Sequence, residues 1–370
     1  MSFFDALLYT FIVTVCIQSV YYILIFSKFA FGKEENPILK NIPVSVIVCA
    51  KNEAKNIGNL IPKLLEQDYK QFEIVLINDA SSDDTLEVME SFKEIHSNIK
   101  IVNIVNNETF WGNKKYALTL GIKAASYDFL LFTDADCTPN SKHWISSMSS
   151  HFTNDKSIVI GYGSYAKQHK SFLNKLIRFE TLLTAIQYFS FVKIGLPYMA
   201  VGRNLAYRKD VFFKNNGFIN HLKIRSGDDD LFVNEVATNK NTSICFTKDS
   251  FTTSKPKTTF KTWFNQKRRH VSTASHYKLK HKSLLALFYV SQVFFWILSI
   301  LLLLTTFKPI IVISLIGFRF LLVYIIFNNS AKKLDETGLI LLLPFFELFL
   351  IAIQFSIFIT NLISKPSHWK

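Results

Sequence analysis

Glycine and proline are scarce, 12 and 9 in 370 residues, which excludes a collagen-like chain and a low-complexity disordered one. Cysteine is scarcer still. Cys16, Cys49, Cys137 and Cys245 are scattered, with neither C-x-x-C zinc spacing nor a dense disulfide framework, so a reducing compartment is the expectation. Acids are missing where bases crowd: from Lys255 to Lys282 there are nine Lys/Arg and no Asp or Glu. That run abuts a long apolar stretch, the signature of a cytosolic juxtamembrane loop. The net charge of +14 therefore reads as a membrane-surface feature, and nucleic acid is not an expected partner. What abounds is apolar surface, with 49% hydrophobic residues and 36 Phe beside 19% charged ones. Such a chain is part membrane and part globular.

Residues 6–27 carry no charge and are long enough to cross a hydrocarbon core of roughly 30 Å. Asp5 stands where a cleaved signal peptide would be basic, and Lys28 and Lys33 follow the apolar stretch, so an uncleaved anchor over residues 1–30 is expected. Further spans are expected at 283–307 and 309–329, and 338–363 reads as a fourth span or as a re-entrant hairpin broken at Pro344. Arg319 and Glu347 lie inside the last two. If those segments turn at Lys332 and Lys333, the two charges sit at one depth and should pair, because a lone charge there costs at least about 2.5 kcal/mol. The alternative for Arg319 is a lipid phosphate or isoprenoid head.

Between Asn41 and Lys282 short β-branched runs alternate with helix-period segments. Strands are expected at 44–49, 72–77, 99–105 and 128–133, and helices at 54–67, 83–95 (capped by Ser81 or Ser82) and 114–125. This α/β alternation predicts a sheet with ligands at the carboxyl ends of its strands. The segment 171–194 reads either as an interfacial amphipathic helix or as a core helix of the catalytic domain.

The strand ends carry the chemistry. Ala50-Lys51-Asn52-Glu53 follows the first strand, Asn78-Asp79-Ala80-Ser81-Ser82-Asp83-Asp84 the second, and Asp134-Ala135-Asp136 the fourth. Carboxylates crowded at one edge need a neutralising partner, and a divalent cation holding a diphosphate would supply it. The expectation is that Asp79, Asp134 and Asp136 share one pocket. Helix capping is the plainer reading for Asp134/Asp136, for Asp79 with its serines and for Asp228, Asp229 and Asp230.

Four more blocks stand in order along the chain: Gly112-Asn113-Lys114-Lys115-Tyr116-Ala117-Leu118, Gly202-Arg203-Asn204-Leu205-Ala206-Tyr207, Ser226-Gly227-Asp228-Asp229-Asp230-Leu231 and Gln266-Lys267-Arg268-Arg269-His270. With the three strand ends they resemble glycosyltransferase family 2 and its GT-A fold, over roughly residues 43–275. The fold this implies is an α/β GT-A domain (a Rossmann-like mixed sheet) over 41–282, with 255–282 as a basic juxtamembrane segment, joined to transmembrane α-helices. Residue by residue, the resemblance implies that Ala50, Glu53, Asp79, Lys114 and Asp134 bind the donor and that Asp136 ligates a divalent cation, Mg or Mn. It implies that Asp228 is the general base, with Ser226-Gly227 in place of the family's Thr-Glu. Gln266 and Arg269, with Arg203 and Asn204, would bind acceptor or leaving group; His270 replaces the family's Trp, which argues against a processive synthase.

The implied activity is inverting transfer of a sugar from a nucleotide-sugar, UDP being the expected nucleotide, to a lipid or glycan acceptor. The expected location is integral to the membrane, with the catalytic domain cytoplasmic, and the inner (cell) membrane if the source is bacterial. The alternatives are a processive synthase of a β-linked polysaccharide, an inactive nucleotide-sugar or lipid binder, and a transporter subunit. The last leaves a domain of some 240 residues with ordered acids unexplained.

Overall fold

The computed structural model describes residues 2–35, 37–105, 114–224 and 226–364, so that Gly112 and Asn113 of the lysine block lie outside the described residues. The chain opens with α1 (Phe3–Val20), a π-helical turn (Tyr21–Phe26) and α2 (Ser27–Ala30). Then follow β1 (Val44–Ala50), α3 (Ala54–Leu65), β2 (Phe72–Asp79), α4 (Thr85–Ile95), β3 (Ile99–Ile104), α5 (Lys114–Ala124) and β4 (Phe129–Asp134). Next come β5 (Cys137–Pro139), α6 (Trp144–Ser150), β6 (Ile158–Ile160), β7 (Gly163–Tyr165), α7 (Phe172–Lys193), β8 (Leu205–Arg208), α8 (Lys209–Lys214), α9 (Asp230–Val236), β9 (Thr242–Ile244) and β10 (Thr252–Ser254). The chain closes with α10 (Phe260–Thr273), α11 (Leu279–Leu304), α12 (Pro309–Lys333) and α13 (Leu343–Ile363).

Two compact units result, one built on Glu34–Asn174 and Pro197–Trp263, the other on Met1–Lys33, Lys175–Leu196 and Phe264–Pro366. The first holds a seven-stranded mixed sheet ordered β3-β2-β1-β4-β8-β6-β9 and a small sheet β5-β10-β7. β1 to β4 are parallel, whereas β8 runs antiparallel between β4 and β6. β1 is central, so Val44, Val46 and Val48 are buried and pack with Ile57, Leu60 and Leu64 of α3. The register aligns Cys49 with Asp134 and Ala50 with Asn78, which brings the ends of β1, β2 and β4 to one edge.

The cap of α4 differs from expectation. Its N-cap is Asp84, without a side-chain cap bond, because Ser81 and Ser82 are engaged elsewhere. Ser81 Oγ accepts from the Asn52 N–H at 3.0 Å, and the Ser82 N–H donates to Asn52 Oδ1 at 2.8 Å. The serines weld the β2 turn to the β1 turn. Capping does not account for Asp134 and Asp136 either, since the chain continues from Asp134 into β5 and the next helix starts at Trp144.

Among the described residues the second unit holds four helical stretches long and apolar enough to cross a membrane: Phe3–Ala30, Leu279–Leu304, Pro309–Lys333 and Thr337–Ile363. Arg319, fully buried, pairs with Glu347 as the shared depth predicts, its Nη1 donating to Oε2 at 2.7 Å. Gln18 Oε1 accepts from Arg319 Nη2 at 2.9 Å, and Gln292 Nε2 donates to Glu347 Oε1 at 2.9 Å. Four helices thus converge on one satisfied ion pair. The lipid-phosphate alternative for Arg319 is set aside, because its guanidinium is enclosed among Phe295, Phe320 and Tyr22.

α7 is enclosed and not interfacial, but neither is it a core helix of the catalytic domain: Lys175–Leu196 belongs to the unit of apolar helices. Leu176, Phe179, Leu182, Ile186 and Phe189 are all buried, with Phe179 stacked on Phe327 and Phe346, and Phe189 on Phe29. An interfacial helix would leave a polar face in water. Arg178 instead donates to Glu336 at 2.9 Å from a buried position.

Candidate active site

Two tight turns shape the edge of the sheet. Asn52 and Ala80, just past β1 and β2, have φ of 55° and 50°, and the serine bonds above hold them there. Asp83 joins the weld by accepting from the Thr85 N–H at 3.1 Å, and the Glu53 N–H donates to Thr85 Oγ1 at 2.9 Å. Asp79 ends β2, buried, and burial pushes its carboxyl above the usual range. Ala50 ends β1 with its methyl in the core.

Asp134 ends β4, and Asp136 follows the buried Ala135. Ligand atoms of Asp134, Asp136 and Cys137 lie within 4.8 Å of one another. Burial, then the charges of Asp134 and Glu53, hold the Asp136 carboxyl above its ordinary value. This is the crowding that a hard cation relieves, and the two carboxylates fit an oxygen-liganded Mg or Mn. The thiol is the poor member of the set. It is buried, 2.9 Å from Ser254 Oγ, and burial pushes it well above its usual range.

Lys114, at the start of α5, lies 2.7 Å from Asp134 Oδ1 and 3.0 Å from Asp228 Oδ2. Burial alone would lower its ammonium, but these two carboxylates hold it well above the ordinary lysine value. A lysine thus supplies part of the neutralisation for which a divalent cation was expected. The expected grouping is corrected in a second respect. Asp134 and Asp136 stand together, whereas Asp79 ends a strand on the other side of β1, about 10 Å away at sheet spacing. Asp79 shares the edge, not the ligand cluster.

The acidic triplet divides its work. Asp229 is the N-cap of α9, accepting from the Asp230 N–H at 2.7 Å and from the Gly202 N–H at 2.6 Å. Burial, then Asp228 and Asp230, push its carboxyl up to about 7. Asp230 accepts from the Leu231 N–H at 2.8 Å. Capping therefore accounts for Asp229 and Asp230, and Asp228 faces Lys114. Gly227 makes the turn: its φ is +94°, and a Cβ there would lie 2.5 Å from Leu231 Cδ1. Cys49, Lys114, Asp134, Tyr207, Asp228 and Asp229 line one pocket with apolar walls from Ile47, Phe132 and Leu205.

Asn204 leaves the expected binding set. It is fully buried, its Nδ2 donating to the carbonyls of Tyr162 and Ser250 at 2.8 and 2.7 Å while Oδ1 accepts from Trp144 Nε1 at 3.1 Å. All its polar side-chain atoms are spent on the scaffold. Arg203 donates to the Gly163 carbonyl at 2.7 Å, lies over the Tyr165 ring, and lowers the Asp136 carboxyl electrostatically. Gln266 and Arg269 lie on α10 in the unit of apolar helices, with His270 exposed.

Sequence reasoning missed Lys115. It is 1% exposed, and its ammonium donates to the carbonyls of His221, Ile224 and Ser226 at 2.7, 2.9 and 2.8 Å. Burial pulls it down to about 8, against Asp228, Asp230 and Asp229, which raise it. Its only signal in the sequence was a second lysine beside Lys114.

Two family models match the chain: "Glycosyl transferase family 2" over residues 45–214 and "Glycosyl transferase family group 2" over 130–355. A poly-beta-1,6-N-acetyl-D-glucosamine synthase of Staphylococcus epidermidis is 33% identical over 124 residues, 32% of this chain and 28% of that protein. A 4,4'-diaponeurosporenoate glycosyltransferase of Staphylococcus haemolyticus is 34% identical over 122 residues, 33% of this chain and 30% of that one. The chain thus matches about a third of the length of these curated relatives. A mannosyltransferase of Pyrobaculum calidifontis, solved with GDP-Man and Mn2+, has a similar fold: TM-score 0.57 at 16% identity, covering 91% of this chain and 96% of that one. With the second family model spanning more than half of its length and the GT-A sheet carrying ordered acids on one edge, the chain belongs to glycosyltransferase family 2.

Proposed function

We propose that this glycosyltransferase moves a hexose from a nucleoside-diphosphate sugar, with UDP as the nucleotide, to a hydroxyl of a lipid-borne acceptor and inverts the anomeric centre. The observation that carries the reading is Lys114, which holds Asp134 of the D-x-D corner and Asp228 of the acidic triplet in one pocket. A donor-side acid and a candidate base thereby face the same space. Asp79 and Glu53 hold the nucleoside, and Lys114 turns its charge toward the diphosphate. Asp136, with Asp134, would hold Mg or Mn, which supplies charge for the departing nucleoside diphosphate. Asp228 takes the proton from the attacking hydroxyl. Gln266 and Arg269 bind acceptor hydroxyls or phosphate through charge-assisted hydrogen bonds. The sheet unit is cytoplasmic, since the basic run 255–282 precedes an apolar helix, and in a bacterium the membrane is the inner one.

A processive reading has support in the name of the polymer-synthase relative. His270 in place of the family's Trp favours single addition, because an imidazole offers less face for stacking a growing glycan. The test is incubation of the detergent-purified protein with a panel of nucleotide-sugars, Mn2+ and total membrane lipid, the product being identified by mass. One added hexose on a lipid is expected with a UDP-sugar. An oligosaccharide ladder overturns single addition, and no transfer from any donor overturns the reading.

A further inference from the structure

We propose that Lys115 is a positioning residue for the transfer step: its buried ammonium grips three backbone carbonyls of the segment that leads into Asp228 and so fixes where that carboxylate stands. This rests on the reading of Asp228 as the base. Lys114 and Lys115 occupy the first turn of the same helix and point their charges at two parts of one loop. Lys114 meets the Asp228 side chain at 3.0 Å, and Lys115 meets the carbonyls of His221, Ile224 and Ser226 within 2.9 Å. An ammonium has three N–H donors, and all three are matched. Gly227, the one residue between the last gripped carbonyl and Asp228, has the positive φ that turns the chain, so the grip anchors the turn on its N-terminal side. A base displaced by about 1 Å costs on the order of 100-fold in rate without touching the donor site.

The experiment compares Lys115→Met, Lys115→Arg and Asp228→Asn in full-length protein. Readouts are kcat and donor KM with the UDP-sugar active in the panel, UDP affinity by calorimetry, and melting temperature. Lys115→Met is expected to lower kcat by about 10- to 100-fold, with KM and UDP affinity within about twofold of wild type. Lys115→Arg, which keeps a charged multiple donor, should recover most of that loss. Wild-type kcat in Lys115→Met overturns the proposal, and so does a kcat loss matched by loss of UDP affinity and of melting temperature in both lysine variants. If Asp228→Asn is also unimpaired, the base assignment itself has failed.

A separate observation concerns α13, which we infer re-enters the membrane and returns to the side it came from. One end of the α1/α11/α12 bundle is marked by Phe4 stacked on Phe307 and Asp5 paired with Lys308 at 3.2 Å; the other by Lys333 donating to the Phe29 carbonyl at 2.8 Å. α13 meets α11 in reverse order, Glu347 with Gln292 and then the Ile351 carbonyl with Tyr289 Oη at 3.1 Å. Further along, Asn361 exchanges hydrogen bonds with Arg268 of α10, 3.0 Å to its guanidinium and 3.1 Å to its carbonyl. α10 precedes α11, on the side of the basic run. From Glu347 to Asn361 a helix rises about 21 Å, enough to travel from mid-membrane back to that side.

Short epitopes inserted at Asn154 in the sheet unit, at Thr306 between α11 and α12, and after Lys370 test this in intact cells and inverted vesicles. The Asn154 and carboxy-terminal epitopes should label on the same side and the Thr306 epitope on the other. A carboxy-terminal epitope that labels together with Thr306 makes α13 a full crossing and overturns the inference.

Discussion

Asp228→Asn is expected to cut transfer by about 10²- to 10⁴-fold, the range a general base contributes, while UDP binding stays near the wild-type value. The asparagine keeps the shape and a carbonyl oxygen toward Lys114, so the 3.0 Å contact loses charge and not its geometry. Lys114 retains Asp134 at 2.7 Å, which preserves the donor side of the pocket. Rate and nucleotide affinity should therefore separate. An unchanged rate would place the base elsewhere, or indicate an acceptor that is already anionic, such as a lipid phosphate. Asp229→Ala is the informative contrast: it removes the acceptor for both the Asp230 N–H that caps α9 and the Gly202 N–H, so it should lower the melting temperature more than the rate.

Asp136→Asn is expected to reduce turnover by at least about 100-fold and to weaken Mn2+ dependence, without loss of stability. The sign of the stability effect follows from the site. Burial, Asp134 and Glu53 all raise this carboxyl above its ordinary value, so its ionised form is disfavoured in the folded protein relative to the unfolded chain. The stability linked to that group is present below the unfolded carboxylate pKa and is lost as pH rises through the folded one. At neutral pH a neutral side chain removes a repulsion, and the melting temperature should equal or exceed that of wild type. Mn2+ titration of turnover, paired with direct Mn2+ binding in the presence of UDP, checks both halves. Full activity with unaltered Mn2+ dependence would move the cation away from Asp136.

The strand ends were legible because β-branched runs separated by helix-period segments leave little freedom in where the sheet lies. Val44–Ala50 and Phe129–Asp134 are strands within a residue or two of the expected bounds, and the acids that follow them reach one edge. The Arg319–Glu347 pair was legible for a similar reason, since apolar spans allow few depths at which two charges can be satisfied. Asn204 misled because its type and its neighbours fit a ligand contact, yet nothing in the sequence says that Tyr162, Ser250 and Trp144 would converge on its amide. α7 misled in another way. Its aromatic and basic mix is shared by helices at a membrane surface and helices enclosed by others, and only its neighbours Phe29, Phe327 and Phe346 tell them apart.

From its residues alone, this protein was bound to have a sheet with carboxylates at its strand ends, joined to apolar helices, because hydrophobic period and charge placement are properties of short stretches of chain. Which acids pair with Lys114, which ones cap α9, how Lys115 holds the approach to Asp228 and which way α13 runs were decided only by the packed structure. Each depends on segments tens to hundreds of residues apart meeting within about 3 Å, the reach of a hydrogen bond, and no local pattern encodes that meeting.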